Sequence, residues 1–171
     1  MTEIRIAHKE DATYIALLGR ITFAESFGHL FRDKNDVTEY VNKTFSVEKI
    51  KRGFDNSNNV FFIAFVDNLP VGYAKLKLNS TSEFSQSKNS CQLQKIYILQ
   101  DFLSKKIGHQ LQSLLLKKAK EKSFREIWLS VYAGNPKAIK FYERNDFKTI
   151  GKYNFKIGKE NFKFEAMSRM L

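Results

Sequence analysis

Residues 94–123 read Gln94-Lys-Ile-Tyr-Ile-Leu99, then Gln100-Asp-Phe-Leu-Ser-Lys-Lys-Ile-Gly-His109, then a lysine-rich run to Ser123. The preceding Leu93 and the first of these residues alternate apolar and polar before closing on Tyr97, Ile98 and Leu99, the pattern of a half-buried strand. From Ile107 the apolar residues fall at Ile107, Leu111, Leu114, Leu115 and Ala119. That is helical spacing, and it assigns Gln110, Gln112, Lys117, Lys118 and Lys120 to the wet face. Between strand and helix lies a short loop, Leu103-Ser104-Lys105-Lys106-Ile107-Gly108. A loop entering a helix presents unpaired backbone N–H groups and the positive end of the helix dipole, which suits a phosphate or pyrophosphate. Lys105 and Lys106 add two formal charges there. The same lysine pair also reads as ordinary solvated surface, and the loop holds a single glycine, Gly108.

The charge distribution sharpens this reading. The 171-residue chain carries a formal net charge of +11. Residues 1–90 hold 12 basic and 11 acidic side chains, whereas residues 91–171 hold 17 and 7. The C-terminal half therefore carries nearly all of the positive field, which attracts an anionic ligand, either a phosphorylated cofactor or a nucleic acid. With 43% hydrophobic residues and 16 Phe, the chain can bury a substantial core. Cys91 is the only cysteine. It cannot form an intramolecular disulfide, so a cytoplasmic location is the expectation. His8, His29 and His109 have no metal-binding spacing. The sequence shows neither a signal peptide nor a membrane-spanning run.

Working outward, Glu3–Ala7 predicts an edge strand. A helix beginning near Lys9 carries Ile15, Leu18, Ile21 and Phe23 inward, and its pattern breaks around residues 23–29. A second helical region covers about Lys34 to Phe54, divided near Phe45-Ser46. Val60–Val66 and Val71–Leu78 form a hairpin about Asp67-Asn68-Leu69-Pro70, with Lys75 and Lys77 outward and Ala74 and Leu76 inward. Residues 79–90 read as a polar loop without core signal. After the central strand and helix come a strand at Glu126–Tyr132, a helix at about Pro136–Asn145, and strands near Phe147–Lys156 and Phe162–Met170. The order predicts one α/β domain over residues 1–171, without linker or internal repeat.

Asn135-Pro-Lys-Ala-Ile-Lys-Phe-Tyr142-Glu-Arg-Asn-Asp146-Phe147 resembles the N-x-x-A-x-x-F/L-Y-x-x-x-G-F segment of the GNAT superfamily of acetyl-CoA-dependent N-acetyltransferases. Asp146 stands where that pattern has glycine, and Asp is among the residues that tolerate a left-handed cap. Residues 103–108 resemble the family's Q/R-x-x-G-x-G/A cofactor loop, without its first polar residue and first glycine. Thr22–Phe27 with His29, Tyr40, Phe45-Ser46, Lys49, Pro70–Tyr73, Leu93–Leu99 and Gly151–Leu171 are similar to the PaiA-type spermidine/spermine acetyltransferases within it.

The resemblance implies a mixed, largely antiparallel sheet flanked by helices and splayed at its central strands. It implies acetyl-CoA as cosubstrate, no metal, and direct attack by an amine in a ternary complex. The backbone of Ile96, Tyr97 and Ile98 would pair with the pantetheine arm. Ser104, Lys105, Lys106, Ile107, Gly108 and His109 would hold the pyrophosphate, and Asn135 and Lys137 would lie on the cofactor. Tyr142 would donate a proton to the leaving sulfur. The base is open: Glu25, His29 or a water chain. The acceptor would be a small primary amine such as spermidine or spermine, which requires Glu25, Asp33, Asp36 and Glu39 to line the acceptor side. Two alternatives remain: a protein or peptide N-acetyltransferase, and a basic nucleic-acid-binding module. No motif for specific nucleic-acid or membrane binding accompanies the latter, and a homodimer is left open.

Overall fold

The computed structural model describes residues 1–171. Seven strands form one sheet: β1 Thr2–Ile6, β2 Asn59–Val66, β3 Leu69–Lys77, β4 Ser90–Ile98, β5 Glu126–Tyr132, β6 Lys148–Ile157 and β7 Glu160–Met170. Their spatial order is β1-β2-β3-β4-β5-β7-β6. Every neighbouring pair is antiparallel except β4 and β5. The helices are α1 Ala12–Phe27, α2 Lys34–Thr44, α3 Val47–Phe54, α4 Ile107–Glu121 and α5 Pro136–Glu143. A parallel pair needs a crossover, and α4 supplies it.

The β2–β3 turn is closed by Asp67 and Asn68, both at positive φ (48° and 67°). These are residue types that enter the left-handed region at low cost, so the strands twist together without splaying. On one face, Leu111, Leu115 and Ala119 of α4 pack with Ala74, Leu76, Leu93 and Ile127 of the sheet. On the other, Ile15 and Leu18 of α1 cover Ile63 and Tyr73. Phe23, Phe31, Phe45, Ile157 and Phe162 make a separate aromatic cluster near the end of the β6–β7 hairpin.

Four local expectations are corrected. Helix α1 does not break at 23 but runs to Phe27, and its inward face carries Thr22 and Phe23 while Tyr14, Leu17 and Ile21 are exposed. Gln112 is not on the wet face of α4: it lies one turn from Gly108 and Leu115 and two from Ala119, in the core stripe, and is 1% exposed. Lys75 is half-buried, because β3 is covered on both faces. The loop over residues 79–89 is anchored inward. Ser80 and Ser82 are buried, the Trp128 indole donates to the Ser80 carbonyl at 2.8 Å, and Phe84 stacks on Tyr153. A half-buried indole N–H needs an acceptor, and a polar loop provides one.

Candidate active site

Strands β4 and β5 pair only at Ser90–Gln92 against Glu126–Trp128 and then part. A register shift between β3 and β4 helps: Lys75 faces Lys95 but Leu76 faces Leu93, so Gln94 is the extra residue of a bulge that bends β4 away. The Leu99 N–H donates to the Val71 carbonyl at 2.9 Å. By alternation Tyr97 also turns its backbone groups towards β3, while Ile96 and Ile98 turn theirs into the gap, where no strand pairs with them. The splay thus leaves a short ladder of unpaired donors and acceptors.

A cavity of about 710 Å³ occupies this gap and reaches both faces of the sheet. Of the residues assigned to it from sequence, Ile96, Tyr97, Ile98, Ser104, Lys106, Gly108, His109, Asn135, Tyr142 and Glu25 line it. Lys105, Ile107, Lys137 and His29 do not. Lys105 lies over the Phe102 ring instead, 4.9 Å from its centre, and the Ile107 side chain is fully buried in the core. Lys137 and His29 are exposed away from the cavity. Sequence reasoning missed Lys95 and Gln100, both on its wall. Lys95 carried no distinguishing signal, because it takes one of the polar positions of a strand that also holds Gln92 and Gln94.

The entry to α4 is shaped for an anion. Lys106 precedes the helix at φ 58°, a left-handed residue that turns the chain sharply into it. The Gln110 N–H to Lys106 carbonyl bond, at 3.2 Å, is the first of the helix. The N–H groups of Ile107, Gly108 and His109 therefore have no helical partner. Close approach is kept open by Gly108, where a side chain would press on the Ile98 Cδ1 at 3.2 Å. These features fit the pyrophosphate and pantetheine of a CoA thioester, the first at the helix start and the second along Ile96–Ile98.

Tyr142 faces the gap from α5. The helix is started by Asn135, whose side chain accepts the Ala138 N–H at 3.1 Å, and by Pro136 in its first turn. It is closed by Asp146 at φ 65°, which takes the left-handed conformation in place of glycine. The Tyr142 ring meets Phe141 and Phe147 edge-on, at 5.3 and 5.7 Å. Its hydroxyl has no protein hydrogen-bond partner. Burial first, then nearby Tyr97, pushes this phenol well above its ordinary range, so it is a held proton at neutral pH. Tyr97 is pushed up to about 12 by burial. Also on the cavity wall, the Glu25 carboxylate accepts the Gln100 N–H at 3.1 Å and ties α1 to the segment after β4.

A parallel strand pair splayed over a helix N-terminus, with a protonated phenol at the gap, defines an enzyme that moves an acyl group from a CoA thioester. The chain belongs to the acetyltransferase (GNAT) family, whose family model matches residues 24–147, and it is an acetyl-CoA-dependent N-acetyltransferase. It is 25% identical over 155 residues to an uncharacterised N-acetyltransferase of Lactobacillus delbrueckii subsp. lactis, covering 91% of this chain and 88% of that protein. It is 26% identical over 150 residues to a spermidine N(1)-acetyltransferase of Thermoplasma acidophilum, covering 85% and 88%. Its fold is similar to the crystal structure of the PaiA N-acetyltransferase of Thermoplasma acidophilum in complex with coenzyme A, with a TM-score of 0.77, 22% identity and coverage of 100% and 99%. It is also similar to a ribosomal-protein-alanine N-acetyltransferase of Brucella melitensis, with a TM-score of 0.72, 18% identity and coverage of 99% of each chain.

Proposed function

We propose that residues 1–171 act as one domain that acetylates a small primary amine, with a polyamine such as spermidine or spermine as acceptor, by direct attack in a ternary complex. The observation that carries this reading is the continuity of the cavity through the sheet. Tyr142, Ile98 with its unpaired backbone, and Glu25 all line it. The Ile98 N–H would polarise the thioester carbonyl, and Tyr142 would protonate the departing sulfur. The Ser104–His109 backbone and Lys106 would hold the pyrophosphate.

The polyamine part rests on two supports. One is the named activity of the Thermoplasma relative. The other is Glu25, a carboxylate in the cavity of an otherwise basic protein. Asp36 and Glu39 line a second, smaller cavity of about 330 Å³ with Tyr40 and Phe155. Asp33 is bound by Lys159 at 2.6 Å and is not available to an acceptor.

The test is release of free thiol from acetyl-CoA with spermidine, spermine, single amines, lysine peptides and peptide N-termini compared in one assay. The reading expects turnover with the polyamines at the lowest KM. Turnover confined to peptides overturns the polyamine assignment.

A further inference from the structure

The acceptor arrives as an ammonium ion and must lose a proton before it can attack. The carboxylate at the cavity, Glu25, is exposed and engaged by Gln100. His109 sits on the α4 side, its ring nitrogen 3.4 Å from the Ser113 hydroxyl. Lys95 is placed differently. It leaves β4 on the same face as Tyr97 and lines the cavity. Its Nζ lies 5.0 Å from the centre of the Phe45 ring and 5.3 Å from that of Tyr97. It takes part in none of the chain's ion pairs.

A second lysine stands directly across from it. Lys75 on β3 is its register partner, with Nζ 5.3 Å from the Phe61 ring centre, also without a carboxylate. Two like charges facing each other across a strand pair, against aromatic rings, are unfavourable. The fold relieves this when an amine gives up its proton. Burial lowers Lys95, with Tyr40 acting in the opposite direction. Burial, then Lys95, Lys77 and Lys49, bring Lys75 down to about 8. The other titratable groups packed here are phenols: Tyr40 of α2, Tyr97, and Tyr73 of β3, whose fully buried hydroxyl has no protein partner. No neighbouring anion holds the proton on Lys95.

We propose that Lys95 is the general base of the reaction, its amine taking the proton of the acceptor ammonium inside the cavity. This rests on the amine-acetylation reading above. The ammonium gives one proton to Lys95 Nζ, and the freed nitrogen lone pair forms the bond to the acetyl carbonyl carbon. The carbon–sulfur bond breaks, and sulfur leaves with the electron pair and takes the Tyr142 proton. The second proton lost by the acceptor nitrogen restores the Tyr142 hydroxyl, and Lys95 returns its own to solvent through the cavity mouth. Enclosure in the cavity wall, against the Phe45 and Tyr97 rings and away from any carboxylate, disfavours a permanent charge on Lys95, as it does for other desolvated lysines.

The experiment compares Lys95→Met and Lys95→Arg with the parent in kcat and kcat/KM as functions of pH, with CoA binding and thermal midpoint on the same preparations. Both variants are expected to bind CoA normally and to lose on the order of 10²-fold in kcat at neutral pH. The Met variant should recover at high pH, where the acceptor itself is neutral. Arginine keeps the charge and cannot release a proton, so an Arg variant with parental kcat would overturn the proposal in favour of a simple cationic contact. A Met variant with unchanged kcat and pH profile would overturn it in favour of packing. In the intact protein reductively ¹³C-methylated on lysine, the signal absent from the Met variant should titrate below the surface lysines. A signal titrating with them overturns the proposal as well. A protein that binds CoA but acetylates no amine overturns the parent reading and this one together, whereas active variants with parental profiles overturn only this one.

Discussion

Phe147 is fastened to Tyr142 twice: its backbone N–H donates to the Tyr142 carbonyl at 3.1 Å, and the two rings meet edge-on with centres 5.7 Å apart. The tyrosine ring is thus fixed by the end of its own helix, while its hydroxyl makes no bond to protein. Tyr142→Phe removes only that hydroxyl. Kcat should fall on the order of 10²-fold or more, with thermal midpoint and CoA affinity nearly unchanged. Unchanged kcat at saturating substrates would sink the assignment of Tyr142 as the acid.

Lys106 offers a test in which stability and binding move in opposite senses. It holds φ at 58° just before α4, and no side chain caps the helix there. Glycine enters this region freely, so Lys106→Gly should stabilise the fold by about 1 kcal/mol. It also removes a positive charge from the proposed pyrophosphate site, and KM for acetyl-CoA should rise about threefold to fivefold, the scale of one exposed charge at a helix terminus. Thermal melts and initial rates on one preparation check both. A rise in neither quantity would refute the conformational and electrostatic readings together.

The strands, the hairpin turn and the last two helices were legible because each is marked locally. Val60–Val66 is apolar throughout, Asp67-Asn68 is a turn pair, and Asn135-Pro136 is a helix start. Asp146 at positive φ was expected from the family resemblance, because it stands where that pattern has glycine. What was not legible depends on layers. Lys75 and Lys95 look like the wet positions of half-buried strands, but helices cover this face, and both are drawn under aromatic rings. Gln112 looks like surface for the same reason. Lys106 gives no sign of its left-handed backbone, because glycine is the usual marker there. The polar loop at 79–89 hides an indole acceptor that only the position of Trp128 shows.

Gly19 is another residue whose role depends on the layer above it. A β-carbon at this position would press into the Phe45 ring at Cδ1, and Phe45 is fully buried. The ring is buried between Phe23 and Tyr97, so Gly19→Ala should destabilise by about 1–3 kcal/mol despite the higher helix propensity of alanine. Gly28, at the end of α1, has nothing within 4 Å of the same added atom and a φ of −55°. Gly28→Ala should be neutral or slightly stabilising. Urea denaturation of the two variants separates crowding from propensity. Equal effects would refute the crowding argument.

The final prediction concerns acid stability and the start of α1. Asp11 is buried, and its carboxylate takes two hydrogen bonds from Arg5, at 2.7 and 2.9 Å, and one from the His8 N–H at 2.8 Å. These bonds join β1 to the helix that carries Glu25. The Arg5 hydrogen bonds, opposed by burial and helped by the His8 N–H, hold the Asp11 pKa below its ordinary value. A carboxyl lower in the folded than in the unfolded chain stabilises fully above the unfolded value, about 3.9, and that stabilisation is lost as pH falls through the folded value. Asp11→Asn replaces charge-assisted bonds and leaves the Arg5 guanidinium without its anion, at a cost of about 2 kcal/mol at neutral pH. The gap between parent and variant should narrow as the solution is taken below about pH 4, because the parent then loses what the variant never had. Urea midpoints at neutral and strongly acidic pH measure it, and a gap that stays constant would show that Asp11 contributes through shape rather than charge.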